Sequence, residues 1–483
     1  MSQKYVALVL ALLFFIGWGI FFRSPARADL PQPEGMFALY GQNRAMGVPN
    51  YITEDFILLA YSQVLNEAVT EMEEKFLLGE FTNLVEALIN KLKAKESPTD
   101  VDKANLNYLA VIEALLTGKD GSEAAADPKA VKTELKLIQE AGGLANSELM
   151  LQQIDYSQFK VRGKYTRSQT LGQYFQAMRY AGTVIFPVLE SKATGVTKEQ
   201  ADRLTAQALA LAQMITTDEK LHDTYRVFDA KLAWLFGPAE DLTLADYNEM
   251  AKKEKDVVKS RAALLELARK NGRQPAIISG AVDVSMLEEG VTAKDVMTGW
   301  RFMPQRFTPT SAAFQVLVFD QVGLYSGNKS PFSSATIQGQ QVKGFPLALE
   351  IMALLGSKEA EKRLKDNDET NYQGYDKAAA RAEKYFEKAE DLPSLNLKLC
   401  QEWLTGKTGP AEARRLNTAL GFWTYQRYIN LLYVKQSYTM VSKSVEMRQV
   451  RDTAWIEPAP ELYLGLQKQV KTMMNYLQGD NVK

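Results

Sequence analysis

Eight polar residues set among aromatic and apolar neighbours are the ones whose types and spacing could do chemistry: Asp241, Arg301, Gln305, Arg306, Arg427, Lys435, Gln436 and Glu457. Arg301, Gln305 and Arg306 stand in WRFMPQRF. Two guanidinium forks this close in sequence can converge on one anionic group. Arg427, Lys435 and Gln436 fall in LNTALGFWTYQRYINLLYVKQSY, residues 416–438. The spacing predicts one long helix over 414–444, with residues 427 and 435 roughly two turns apart along one face. Asp241 (in EDLT) and Glu457 (in WIEPAP) are the carboxylates for acid/base work. Two carboxylates ~5 to ~9.5 Å apart across a cleft suffice for glycoside hydrolysis. Each residue also has a structural reading. Asp241-Leu242-Thr243 precedes a helical run and makes a good N-cap segment. Charged residues amid aromatics need internal partners when buried.

Other chemistries are excluded by count or spacing. The chain has one cysteine, Cys400, and one histidine, His222. Cysteine-rich zinc sites, iron–sulfur clusters and an intramolecular disulfide are therefore ruled out. Cys400 lies on an apolar face in LNLKLCQEWL and reads as a buried, inert thiol. His222 stands among polar residues in a helical stretch and reads as structural. Gly406-Lys407-Thr408 ends like a phosphate loop, but position 401 is Gln where the leading glycine belongs. Asp366-Asn367-Asp368 begins like a calcium loop, but Asn371 and Lys377 occupy the Gly and Glu positions. No metal or cofactor is expected. The 57 basic and 58 acidic residues balance, so no electrostatic footprint for nucleic acid is present.

The elements that must position these residues are helices. Apolar positions recur at three and four from Thr53 onward, over 76–92, 106–116, 131–141, 171–189, 198–216 and 245–271, and again over 346–355, 375–389, 395–404, 414–444 and 460–476. This predicts an all-α protein of roughly fifteen helices, forming one large multi-helix domain or two lobes that meet near 142–154. Alternation is confined to 276–279 and 334–342. GKDGSEAAADP, residues 118–128, reads as a hinge or disordered loop. At the N-terminus, Tyr5 to Phe22 is an apolar run followed by Ala26-Arg27-Ala28. Residues 1–28 therefore read as a signal peptide cleaved before Asp29, or as a single retained membrane anchor. Residues 29–52 read as an extended lead-in segment, and 53–483 as the helical domain. Either reading exports the bulk of the chain to a bacterial periplasm, the outer face of a membrane or the medium.

The run at 416–438 closely resembles the signature of a bacterial domain-of-unknown-function family, thirty-one-sixty, whose version reads near LNTxLGSWTELRHDTxLYxKQSY. Ordered likenesses extend along most of the chain: YGQNRAMGVPNYITEDFILLAY, IDYSQFKVRGKYTRSQTLGQYFQAMRYAG, FGPAEDLTLADY, GWRFMPQRFTPTSAAFQ, FPLALEIMALLGSKEA and WIEPAPELY. The resemblance implies an exported or envelope-associated, all-helical protein with no assigned reaction. One departure is visible: where relatives carry Arg-His-Asp-Thr, this chain has Arg427, Tyr428, Ile429 and Asn430. A His-Asp pair used for proton transfer or metal binding in relatives is missing here; alternatively the pair is structural and Tyr428 fills its place. Three functions remain open: a helical domain binding a ligand or envelope component, a hydrolase of an envelope glycan or peptide using Asp241 or Glu457 with Arg427 holding an anion, and a purely structural anchor.

Overall fold

The computed structural model describes residues 45–46, 54–278, 282–337, 339–386, 391–406, 411–435 and 446–447. The signal or anchor segment, nearly all of 29–52, the cap at Thr53, the helix over 460–476, Gln436 and Glu457 lie outside the described residues.

The fold is predominantly α-helical, as the periodicity predicts. Fifteen helices of seven or more residues occur among the described residues. They are α1 (Glu54–Met72), α2 (Leu78–Lys93), α3 (Asp100–Thr117), α4 (Pro128–Glu140), α5 (Gln169–Thr183), α6 (Lys198–Thr217), α7 (Glu219–Phe236) and α8 (Leu244–Lys253). After these come α9 (Val257–Lys270), α10 (Pro309–Val316), α11 (Ala348–Leu354), α12 (Lys358–Asp366), α13 (Tyr375–Glu383), α14 (Leu392–Thr405) and α15 (Glu412–Ile429). Short antiparallel pairs join them: β1 (Leu144–Ser147) with β2 (Gln152–Asp155), β3 (Phe186–Pro187) with β4 (Gly299–Trp300), and β5 (Ser334–Ile337) with β6 (Gln340–Lys343).

Local chemistry sets the helix starts. Thr99 with Asp102, Thr197 with Gln200 and Thr243 with Asp246 form reciprocal capping boxes at α3, α6 and α8. Each satisfies two orphan N–H groups, and such caps are typically worth ~1 kcal/mol. The predicted cap at Thr243 is thus present, while its neighbour Asp241 is used differently.

Several predicted helices are shorter than their apolar patterns. The run over 171–189 stops at Thr183, because Phe186 and Pro187 pair with Trp300 and Gly299 instead. The run over 245–271 is cut at 254–256, where Asp256 caps a new helix. The run over 414–444 ends at Ile429. The alternation over 334–342 is the β5–β6 hairpin. The 118–128 loop is tied down: Asp127 N–H bonds Asn107 Oδ1 at 2.8 Å, Lys93 Nζ bonds the Glu123 carbonyl at 2.7 Å, and Ala124 is buried.

The buried apolar residues form two large clusters and one small one. The first gathers α2 to α9 around Phe81, Tyr108, Phe159, Tyr180 and Phe302, with the β1–β2 hairpin contributing Leu149, Met150 and Ile154. The second gathers α10 to α15 around Ile351, Tyr375, Leu404 and Trp423. The run from residue 416 belongs to both: Leu416, Ala419, Phe422 and Trp423 lie in the second cluster, and Ile429, Leu432 and Tyr433 in the first. α15 packs against α1 and α14, so both of its flanks are covered. A helix covered on both flanks needs no single apolar stripe.

Candidate functional site

The eight candidate residues do not form one cleft. Asp241, Arg301 and Lys435 converge in the interior. Arg301 Nη1 donates to Asp241 Oδ1 at 2.8 Å, and Lys435 Nζ donates to the same oxygen at 2.8 Å. Lys435 also reaches Glu240 Oε1 at 3.1 Å. The side chains of Asp241 and Arg301 are 1% exposed and that of Lys435 is 0% exposed. Burial alone raises an aspartate, but the Arg301 and Lys435 charges outweigh it and hold the Asp241 carboxyl below its ordinary value. Such a group stays ionised and accept-only near neutrality, and it is sealed from solvent.

Arg306 is also fully buried and donates through Nη2 to Asp229 at 2.8 Å. Each guanidinium of WRFMPQRF is therefore bonded through one nitrogen to one of the protein's own carboxylates. Gln305 packs across Gly182, where an added Cβ would meet its Cγ at 3.3 Å.

Lys435 reaches this cluster because the chain leaves the helix. Asn430 ends α15, and its carbonyl accepts from Tyr433 N–H and Val434 N–H. The backbone then pairs with a distant segment: Arg306 N–H bonds the Tyr433 carbonyl at 2.7 Å, and Lys435 N–H bonds the Arg306 carbonyl at 2.9 Å. The expectation that residues 427 and 435 share one helix face is therefore corrected. Gly237 permits the neighbouring strand-like contact. Its φ is +100°, and a Cβ there would lie 2.3 Å from the Phe307 carbonyl oxygen. Phe307 N–H bonds the adjacent Pro238 carbonyl at 2.8 Å.

A second buried polar centre was not among the candidates. Between α1 and α2 the chain forms a π turn over Glu73–Leu77. Glu73 Oε2 pairs with Lys164 Nζ at 2.7 Å, and Glu73 Oε1 accepts from Tyr165 at 2.7 Å and Tyr433 at 2.8 Å. With its proton given to Glu73, Tyr433 Oη accepts from Tyr174 Oη at 3.0 Å, and its ring stacks on Phe236 with centroids 3.8 Å apart. In EMEEKF nothing distinguishes Glu73 from its solvated neighbours, so no local signal reveals it.

Arg427 stands apart from both centres. Its Nη1 donates to Thr310 Oγ1 at 3.1 Å and Ser311 Oγ at 3.3 Å, and its guanidinium lies over the Trp423 and Phe314 rings at 5.4 and 5.6 Å. No carboxylate pairs with it among the described residues. Burial pushes it down to about 10. A guanidinium keeps its proton near neutrality, so Arg427 remains a cation. Arg427 lines a pocket of about 340 Å³ bounded by α14, α15 and the start of α10, with Pro393, Asn396, Leu397, Cys400, Phe422, Trp423, Gln426, Tyr428, Leu431 and Val434. That volume falls in the ~300–1,000 Å³ range of small-molecule sites.

The polar lining is locked from behind. Asn396 Nδ2 donates to Gln426 Oε1 at 2.9 Å, Gln426 Nε2 to Ser62 Oγ at 3.0 Å, and Tyr61 Oη to Asn396 Oδ1 at 2.9 Å. This chain ties α14 and α15 to α1. An asparagine amid LNLKL was the one available hint of it. Burial pushes the Cys400 thiol up to about 12, so it forms part of the wall rather than a nucleophile. His222 is on the surface. Among the described residues, no group of three His, Cys, Asp or Glu side chains is placed to hold a metal ion. The Asp368 carboxylate is occupied by Tyr325 Oη and the Lys329 N–H, both at 3.1 Å.

The profile of a family described as Protein of unknown function (DUF3160) matches residues 21–483. The chain belongs to the DUF3160 family. No curated protein and no solved structure matches it. In this DUF3160 chain the two residues after Arg427 have separate places. Tyr428 sits at the pocket wall with its ring against Gly163, and Ile429 is buried in the first cluster. Ile429 carries no titratable group, and Tyr428 places a phenol where the relatives' pattern has an imidazole.

Proposed function

We propose that this DUF3160 protein is a ligand-binding helical domain, and that its site is the pocket against α15. The observation that carries this reading is Arg427, a cation on an apolar-walled pocket whose hydrogen-bond partners among the described residues are two hydroxyls. The guanidinium is partly covered and no carboxylate among the described residues balances it, so a bound anion or dipole is its natural complement. The hydrolase reading draws no support from Asp241, which is sealed between two cations.

The supporting experiment is a thermal-shift screen of the full chain with small organic molecules, run beside Leu397→Trp. A ligand that binds only the folded state raises the melting temperature by mass action. Ligands should raise the parent's melting temperature and leave that of the pocket-filled variant unchanged. Equal shifts in both proteins would place binding elsewhere and sink the reading.

The site is proposed to work outside the cytoplasm. The apolar run from Tyr5 to Phe22 and the Ala26-Arg27-Ala28 sequence support export. Among the described residues no helix is long and apolar enough to cross a membrane. Mass spectrometry of the native protein tests this: a chain starting at Asp29 is expected for a cleaved signal, and an intact chain in the cytosolic fraction counts against export.

A further inference from the structure

We infer that the pocket against α15 selects small organic monocarboxylates with an apolar body, the carboxylate held by Arg427 and the body by the apolar wall. This rests on the reading of the pocket as a ligand site and names its ligand class.

Three features of the site converge on a single negative charge. First, both protein contacts of Arg427 go to Nη1. The edge formed by Nε and Nη2 has no protein partner among the described residues, and neither atom is a sealed, unsatisfied donor. Two parallel N–H groups on one edge are the fork that matches a carboxylate bidentately. Second, the partners of Nη1 belong to the first turn of α10: Thr308 is its N-cap, and Thr310 and Ser311 follow Pro309. A helix N-terminus carries partial positive charge. A cation placed against it is doubly short of negative charge, and an anion in the pocket would relieve both. Third, among the described residues no Asp, Glu or Lys lines the pocket, so none of them competes for Arg427 and no second cation adds to it. One cation suits a monoanion. A phosphate monoester, closer to two charges, would be left half compensated.

The remaining wall defines the other end of the ligand. Leu397, Phe422, Trp423, Leu431 and Val434 supply apolar and aromatic surface. Burying it against a hydrocarbon body is favourable at ~25 cal/mol per Å². A small inorganic anion would satisfy Arg427 and leave this surface wet. The site therefore calls for charge and hydrocarbon in one molecule.

The test is calorimetric titration of the full chain with naphthoate, with its neutral analogue naphthylmethanol, and with naphthyl phosphate. Arg427→Met, Arg427→Lys and Leu397→Trp are titrated in parallel. Naphthoate should bind the parent more tightly than either analogue and bind Arg427→Met roughly 10- to 100-fold more weakly, the worth of a charge-assisted contact. Naphthylmethanol should be indifferent to that substitution. Arg427→Lys, which keeps the charge and loses the fork, should fall between, and it carries the comparison if Arg427→Met fails to fold. Equal binding of naphthoate and naphthylmethanol, or tighter binding of the phosphate, would overturn the monocarboxylate assignment. In both cases loss of binding in Leu397→Trp would leave the pocket standing as a ligand site. Absence of binding by all three probes would overturn both.

Discussion

Replacing Asp241 by Asn is the sharpest test of how the interior is held together. The substitution keeps the side-chain shape and removes one charge. In the parent, Asp241 Oδ1 receives Arg301 and Lys435, each at 2.8 Å, with all three side chains at most 1% exposed. In Asp241→Asn, Arg301 loses its carboxylate partner and Lys435 keeps only Glu240 at 3.1 Å. Breaking a buried pair from one side leaves an uncompensated charge and typically costs ~3–5 kcal/mol. Domains are stable by only ~5–15 kcal/mol, so this loss should be plain in urea unfolding followed by circular dichroism, as a lower midpoint at unchanged slope. Replacing all three residues by apolar ones of similar volume should cost far less, because no charge is then stranded. The pH dependence has a definite sign. The folded-state acidity of Asp241 lies below its ordinary value of 3.8, so folding favours the ionised form. The stabilisation is fully present above that value and is lost as pH falls through the lower folded-state value. The gap between parent and variant should therefore hold from neutral pH down to about 4 and narrow below it. A variant within ~0.5 kcal/mol of the parent at neutral pH, or a gap that widens on acidification, would refute the reasoning.

Two further outcomes follow from the same physics. Glu73→Gln strands Lys164, whose side chain is 1% exposed, and should destabilise the fold by ~3–5 kcal/mol in the same urea assay; a variant as stable as the parent would mean the π-turn centre bears no such load. Cys400, the one thiol in the chain, is buried and pushed up to about 12, so a chromogenic disulfide reagent should find no reactive thiol in the native protein and one per chain after denaturation. Rapid reaction of the native protein would show an open or electropositive setting instead.

The fold class was legible because helical periodicity is a local property and the sequence writes it plainly. Element ends were less so. Nothing in YINLLYVKQSY marks a stop at Ile429, since no Gly or Pro interrupts the apolar pattern. The stop comes from Arg306, whose backbone pairs with the carbonyl of Tyr433 and the N–H of Lys435. The same limit applies to charges. Asp241, Arg301 and Lys435 were each recognisable as needing a partner, but their mutual pairing depends on long-range topology. Glu73 was missed because burial there is conferred by Lys164, Tyr165 and Tyr433 from elsewhere in the chain. Arg427 was singled out by its aromatic surroundings. What the sequence could not supply was the pocket beside it, since Leu397 and Cys400 read only as core positions on another helix.

The most direct test of the proposed site is crystallographic. Crystals of the chain grown with a bromine-substituted naphthoate would be measured at the bromine edge, so that anomalous signal locates the ligand without assumptions. Bromine density in the pocket near Trp423 and Leu397, with the carboxylate against the Nε–Nη2 edge of Arg427, is expected. Bromine density elsewhere with this pocket empty, under conditions where the naphthoate binds in solution, would contradict the assignment of the site.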